Sequence, residues 1–311
     1  MTRALPHEEA GRSSGVHPAH RGSIFLEDGQ IISQETWPGE QFVLRITAPK
    51  CAARALPGSF VHLTCDPDVP MRRPLSIQRA NGKEGWIEIL YKIVGPGLRA
   101  LSRRHAGDTI SVLGPIGQPF RPDPQRPRAL LVGGGVGIPP MVFLSEWMIE
   151  QSHIPGVKPW KPLVLMGSEI PFPFKSRPST ILVPGIPAGS IAAMPLLDGW
   201  GVPSRLASKA GFPGCYDGFV TQLADEWLGA LVAAARAEVE VFSCGPTPML
   251  EAMAKVAAKH GVPCQVSLEE FMACAVGGCA GCTVKVMTPD GPAMKRVCVD
   301  GPVFDSRAVF G

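Results

Sequence analysis

Three things are scarce in this 311-residue chain. The first is charge of one sign. Lys and Arg number 30 against 27 Asp and Glu, a formal net charge of +3, so no basic field marks nucleic acid or an anionic membrane as a partner. The second is the long apolar run. The most apolar window, "ALLVGGGVGIPPMVFL" from Ala129 to Leu144, is broken by glycines and prolines and is too short to span a bilayer. The third is any export or repeat signal. Residues 1–22, "MTRALPHEEAGRSSGVHPAHRG", carry no apolar stretch of the export type, and no internal repeat is found along the chain. A disordered tail over 1–22 and a cytoplasmic protein are expected. A disulfide framework is lacking too. Nine cysteines form an odd set, and in such a chain metal binding or catalysis is the better reading.

What is present suits two or three packed domains. Hydrophobic residues make up 45% of the chain at a mean hydropathy of +0.13, enough for sizeable cores. Glycine (35) and proline (33) are abundant and unperiodic, as in proteins of many strands and turns. From Gly29 to Gly114, short β-branched runs such as "EQFVLRITA" and "GWIEILYKIV" are separated by regular turn signals. An antiparallel barrel or sandwich is expected over 23–122. After the joint "RPDPQRPR", strands and helices alternate: "ALLVGG", "PLVLMGS" and "EVEVFSC" read as buried strands, and Leu223, Trp227, Leu228 and Leu231 have helical spacing. A parallel sheet with helices on its faces is expected over 123–262. The proline-rich stretch 168–218 resists assignment. A third unit fills 263–311, where Ser267 and Glu270 read as a capping box for a short helix and "TVKVMTPDGPAMKRVCV" reads as two strands round a turn.

The third unit carries the most specific signal. Cys274, Cys279 and Cys282 are spaced C-x4-C-x2-C, with Cys298 further on, which is the plant-type pattern for a 2Fe–2S cluster. Ala275, Gly277, Gly278, Ala280 and Gly281 between them let main-chain N–H groups approach the sulfurs. The bland alternative is a four-cysteine zinc site, whose usual signature is two close pairs. Cys51, Cys65, Cys215, Cys244 and Cys264 have no metal spacing and read as small buried residues.

Two glycine loops follow strands and open helices: "VGGGVG" with Gly133, Gly134, Gly135 and Gly137, and "CGPTPML" with Cys244, Gly245 and Pro246. In a parallel sheet both loops lie at the carboxyl ends of strands, where a pyrophosphate can sit on a helix N-terminus. Either alone reads equally as a tight turn. In the barrel, "RRPLSI" offers Arg73 to a phosphate and Ser76 to a flavin, though an Arg-Pro pair taken singly marks a solvated strand edge.

Taken in order, RPLS, GPG, GPIGQPF, GGGVGIPPM, CGPTPML and SLEEFMACAVGGCAGC resemble the electron transfer subunit of NAD-linked dihydroorotate dehydrogenases, within the ferredoxin reductase superfamily. The resemblance covers 23–311 apart from 168–218. It implies a multidomain α+β and α/β chain: an antiparallel β-barrel flavin domain (23–122), a parallel-sheet nucleotide-binding domain (123–262) and a small C-terminal 2Fe–2S domain (263–311). It implies that Arg73, Pro74, Leu75 and Ser76 contact FAD, with Leu90, Tyr91 and Lys92 as a second FAD strand. Gly97 belongs near the FAD phosphates, but Leu98 stands where the family has threonine, which removes a hydroxyl donor. The glycine loops and Cys244 to Pro246 match the nicotinamide motifs, for NAD with NADP not excluded. Cys274, Cys279, Cys282 and Cys298 match the cluster ligands.

The resemblance further implies a hetero-oligomer with a catalytic dehydrogenase of pyrimidine biosynthesis, from which electrons reach NAD⁺ through cluster and FAD. No catalytic side chain is needed for hydride transfer, and His62 and His105 read as surface or packing residues. Two rivals stand beside this: a self-standing NAD(P)H-dependent reductase for another acceptor, and a zinc-stabilised binding protein without redox chemistry.

Overall fold

The computed structural model describes residues 22–311, so the tail expected over 1–22 lies, but for Gly22, outside the described residues. Six strands, β1 (Phe25–Trp37), β2 (Gln41–Thr47), β3 (Phe60–Thr64), β4 (Arg73–Asn81), β5 (Trp86–Lys92) and β6 (Thr109–Ile116), close into an antiparallel barrel in the order β1-β2-β5-β4-β3-β6. Alternation drives closure. In β6, Ile110, Val112, Gly114 and Ile116 are buried while Ser111, Leu113 and Pro115 between them are only partly so, so every second residue turns inward. Leu44, Ile46, Val61, Leu63, Ile77, Ile87, Ile89 and Val112 meet in one core. Two short helices opened by proline, α1 (Pro49–Arg54) and α2 (Pro96–Leu101), add Cys51, Ala52, Leu98 and Leu101 to it.

The chain then alternates strand and helix: β7 (Arg128–Gly134), α3 (Ile138–Ser152), β8 (Leu163–Gly167), β9 (Arg177–Pro178), β10 (Ala192–Ala193), α4 (Pro195–Gly199), β11 (Ser204–Ser208), β12 (Tyr216–Asp217), α5 (Val220–Ala230), α6 (Ala233–Arg236), β13 (Val239–Cys244), α7 (Thr247–His260) and β14 (Cys264–Ser267). Seven strands form one sheet in the order β12-β11-β8-β7-β13-β14-β17, where β17 is Val303–Asp305. All neighbours are parallel except β14 and β17. Strands covered on both faces read as continuous apolar runs. Leu130, Val132 and Val241 pack toward Leu223, Trp227 and Leu250 of α5 and α7, whereas Leu131, Val164 and Phe242 pack toward Met141, Leu144 and Met148 of α3.

The unassigned stretch 168–218 contains β11, all five of whose residues are buried beside β8, together with the small β9–β10 pair and α4. The division expected at residue 262 falls inside the sheet, because β14 continues it and β17 returns to pair with β14. The hairpin of β15 (Thr283–Thr288) and β16 (Gly291–Arg296), with the cysteine loop before it, stands outside that sheet. The expected helix after Ser267 does not form: Ser267 is still extended and paired with Val303, and residues 268–282 are irregular. The last helix, α8 (Ser306–Phe310), is capped by the Asp305 carboxylate, which accepts from the Arg307 N–H. Barrel and sheet meet at α3, where Glu146 receives Arg79 at 2.6 Å.

Candidate functional site

The RPLS residues open β4, antiparallel to β3, with Ser76 opposite Phe60, Leu75 opposite Val61, Pro74 opposite His62 and Arg73 opposite Leu63. Directly opposed residues share a face. Val61 and Leu63 lie in the barrel core, with Leu75 packed against it, so Pro74 and Ser76 face outward with Phe60 and His62. Pairing of β4 with β5 begins only at Ile77, which explains how Pro74 is tolerated away from a sheet edge. Arg73 folds its guanidinium against the start of α2. A Cβ on Gly97 would stand 2.7 Å from Arg73 Nε, so the missing side chain is what admits the cation. Arg73 donates to the Met71 carbonyl at 2.7 Å and, among the described residues, forms no ion pair, leaving its charge for an anion. Leu98, only 5% exposed, packs into the barrel core. In β5, Tyr91 turns inward, stacked on Phe42 at 5.2 Å with its hydroxyl donating to Gln34 at 2.8 Å; Leu90 and Lys92 alternate to the outer side.

At the carboxyl edge of the parallel sheet, Gly133 of β7 lies in register with Cys244 of β13, and the two glycine loops converge. Gly133 and Gly134 end β7, Gly135 to Gly137 make one tight turn, and α3 follows with prolines in its first turn. A Cβ on Gly137 would meet the Cys244 carbonyl oxygen at 2.2 Å, and one on Gly134 would meet Met249 Sδ at 2.4 Å. The loops therefore interlock through main chain, with Pro246 standing at the N-cap of α7. Gly135 has nothing within 4 Å of its missing Cβ, so bare backbone faces open space there.

Sequence reasoning missed Glu269. Glu269 is an exposed residue overall, yet its carboxylate lies 4.0 Å from Cys244 Sγ, and desolvation there raises it above the ordinary carboxylate range. The Cys244 thiol is fully buried and pushed well up, by burial first and then by the Glu269 charge. Nothing local signals this pair, which meets only because β13 and β14 lie side by side.

The four spaced cysteines come together as two pairs. Cys274 Sγ accepts the Cys279 N–H at 3.4 Å, and Cys279 Sγ accepts the Gly281 N–H at 3.4 Å. The Cys282 and Cys298 thiols meet each other, brought together by the Val297 N–H donating to the Cys282 carbonyl at 3.0 Å. Among the described residues no three ligating side chains converge on a single point. Two pairs of thiols are the donor set of a binuclear cluster, two sulfurs to each iron.

The surroundings favour thiolate at one pair. Burial tends to raise Cys274, yet the N–H groups of Val276, Cys279 and Gly278 and the Cys279 thiol together bring it down to about 7. Cys298 goes the other way, pushed up to about 12 by burial and then by Cys282. Gly277 admits no side chain, since a Cβ there would meet Val299 at 2.6 Å, and its carbonyl accepts Arg296 Nη1 at 2.8 Å. Of the remaining cysteines, Cys51, Cys65, Cys244 and Cys264 are buried and Cys215 is half-buried.

Residues 269–310 match the family model described as the iron–sulfur cluster binding domain of dihydroorotate dehydrogenase B. The chain is 35% identical over 256 residues to the dihydroorotate dehydrogenase B (NAD⁺) electron transfer subunit of Caldanaerobacter subterraneus subsp. tengcongensis, covering 82% of this chain and 87% of that one. It is 32% identical to the subunit of the same name from Listeria monocytogenes serotype 4b, over 91% of this chain and 99% of that one. Among solved structures, an NADH-dependent reduced ferredoxin–NADP oxidoreductase superposes with a TM-score of 0.69 at 25% identity, covering 90% of this chain and 89% of that one. Among the described residues no helix is long and apolar enough to cross a membrane.

Proposed function

Because the chain belongs to the family of dihydroorotate dehydrogenase B electron transfer subunits, we propose that it is the relay of a hetero-oligomer, carrying electrons from a dihydroorotate dehydrogenase catalytic subunit through a 2Fe–2S cluster and FAD to NAD⁺. When bound, flavin exchanges electron pairs with nicotinamide and single electrons with an iron–sulfur cluster. The chain's own work is to hold and space these groups. Arg73, with its unpaired charge beside Gly97, would hold an FAD phosphate, and Pro74, Leu75 and Ser76 would form the strand against which the flavin lies. Leu90 and Lys92 line the outer side of β5, with Tyr91 supporting them from the core. Gly133, Gly134, Gly135 and Gly137, with Cys244, Gly245 and Pro246, would receive the dinucleotide. Glu169, exposed just past β8 at the same sheet edge, supports NAD over NADP, since a carboxylate accepts a ribose hydroxyl and repels a 2′-phosphate.

One observation carries this reading. Phe60, the register partner of Ser76, packs in the same core as Cys282 and Cys298. The flavin strand and one thiol pair are thus built on one another. Round the thiols, Phe271 is 94% exposed, Val276 is half-exposed and Cys279 is exposed. An apolar face beside the cluster ligands suits docking of the catalytic subunit there. Nine free thiols suit a reducing compartment, which supports a cytoplasmic location.

The test is an anaerobic absorption spectrum with iron, sulfide and released flavin assayed on the same sample. Flavin bands and about two irons per chain are expected, as is dihydroorotate-driven NAD⁺ reduction only after the catalytic subunit is added. A colourless protein holding zinc would overturn the relay. Full turnover with another acceptor and no partner would replace it with a self-standing reductase.

A further inference from the structure

His62 does not behave as a packing residue. It is fully buried, and neither ring nitrogen has a hydrogen-bond partner. An unmade pairing in the interior costs more than a made one gains, so a histidine kept in this condition asks what completes it. Its strand supplies the context. His62 lies opposite Pro74 of the RPLS segment on one side and Leu113 of β6 on the other, on the outward face that also carries Phe60.

Two main-chain carbonyls face the ring. One is that of Arg72, within the barrel; the other is that of Met272, in the irregular segment leading to Cys274. The Arg72 side chain is already committed, donating to the His62 carbonyl and the Ser111 carbonyl at 3.1 Å each and to the Ser111 hydroxyl at 3.0 Å. Burial, and then the Arg72 charge, lower the imidazole to about 4, so it is neutral and has a single N–H to give. That one donor stands between a carbonyl of its own barrel and a carbonyl of the cysteine loop.

We propose that His62 is a positioning residue that ties the cysteine loop to the flavin strand, its single imidazole N–H closing onto the Met272 carbonyl when the loop is organised round its cluster. The link fixes the start of the loop, two residues before the first thiol, against the strand opposite Pro74. The distance between flavin and cluster is then set by one strand and one hydrogen bond. This rests on the proposed cluster, which the iron content of the wild-type protein tests separately.

The experiment uses the purified holoprotein, comparing wild type with His62→Leu and His62→Gln. With flavin retained, the rate of iron extraction by a chelator rises about fivefold in His62→Leu, the worth of one net hydrogen bond. In His62→Gln, which keeps an N–H donor, it stays within about twofold of wild type. The electron paramagnetic resonance spectrum of the reduced cluster shifts in the leucine variant and is restored in the glutamine variant. Equal extraction rates and spectra in both variants would overturn the proposal, whether both match wild type or both depart from it alike. If neither variant folds, a crystal structure of the loaded wild-type protein decides. A ring nitrogen within about 3.2 Å of the Met272 oxygen supports the tie, and one beyond about 3.5 Å overturns it. A wild-type protein without iron would overturn this proposal and the relay together.

Discussion

Gly137→Ala tests the interlocked loops most directly. The added Cβ would stand 2.2 Å from the Cys244 carbonyl oxygen and 2.5 Å from the Gly245 nitrogen, so the two loops must part by roughly 1 Å to restore a van der Waals separation. Neither neighbour is the tip of a flexible side chain. Both belong to main chain whose position is set by parallel pairing of β7 with β13, Gly133 opposite Cys244. Overpacking of this kind costs about 1–3 kcal/mol, and a misplacement of about 1 Å at a binding edge can reduce a rate about a hundredfold. The expected result is NADH affinity, read by titration of the holoprotein, at least about tenfold weaker, with flavin and iron contents unchanged. NADH-driven reduction of ferricyanide should fall in step. Gly278→Ala is the control, since nothing lies within 4 Å of its missing Cβ. A Gly137→Ala protein that binds NADH and melts as the wild type does would refute the reasoning.

Four further outcomes follow from the same geometry. Cys279→Ser should lose iron and keep flavin, because Cys279 completes one thiol pair while the barrel is untouched; full iron retention would remove it from the ligand set. Arg73→Ala should weaken FAD retention about 10- to 100-fold, the loss of a charged hydrogen bond, measured as flavin remaining after gel filtration. Phe271→Asp should weaken assembly with the catalytic subunit by about tenfold or more at unchanged iron and flavin, since a side chain 94% exposed contributes little to the isolated fold. Glu269→Gln should alter the pH dependence of stability. Desolvation beside Cys244 raises this carboxyl above 4.5 in the folded protein, so the folded chain binds its proton more tightly than the unfolded one. That contribution is fully present below about pH 4.5 and is lost as pH rises through the raised value. Relative to Glu269→Gln, the wild-type melting temperature should therefore decline as pH rises above about 4.5, and a constant difference would refute it.

The parts of this molecule legible in its sequence are those whose cause is local. The barrel strands show as alternation because one face meets a core, as in β6, and the parallel strands β7 and β8 show as largely apolar runs because both faces do. The C-x4-C-x2-C spacing shows because one loop carries three of the four spaced cysteines. What escaped has a distant cause. "SRLAS" of β11 carries two serines and an arginine, yet all five residues are buried: Arg205 Nη1 and Nη2 donate to the Ser204 and Ile181 carbonyls, both at 2.7 Å, so a polar pattern hides a sheet strand. Ser267 and Glu270 carry a helix-start signal that loses to strand pairing with β17, some 36 residues later.

Glu269 and His62 escaped for the same reason. Each is an ordinary polar residue in its own window and becomes unusual only beside a second element, β13 bringing Cys244 to one and the cysteine loop bringing Met272 to the other. Both lie at seams between units, where cofactors that must exchange electrons have to be brought close. A relay built from separable motifs therefore keeps its motifs in the sequence and its spacing in the seams. Variants of this chain that leave every motif intact should still alter electron transfer where they change His62.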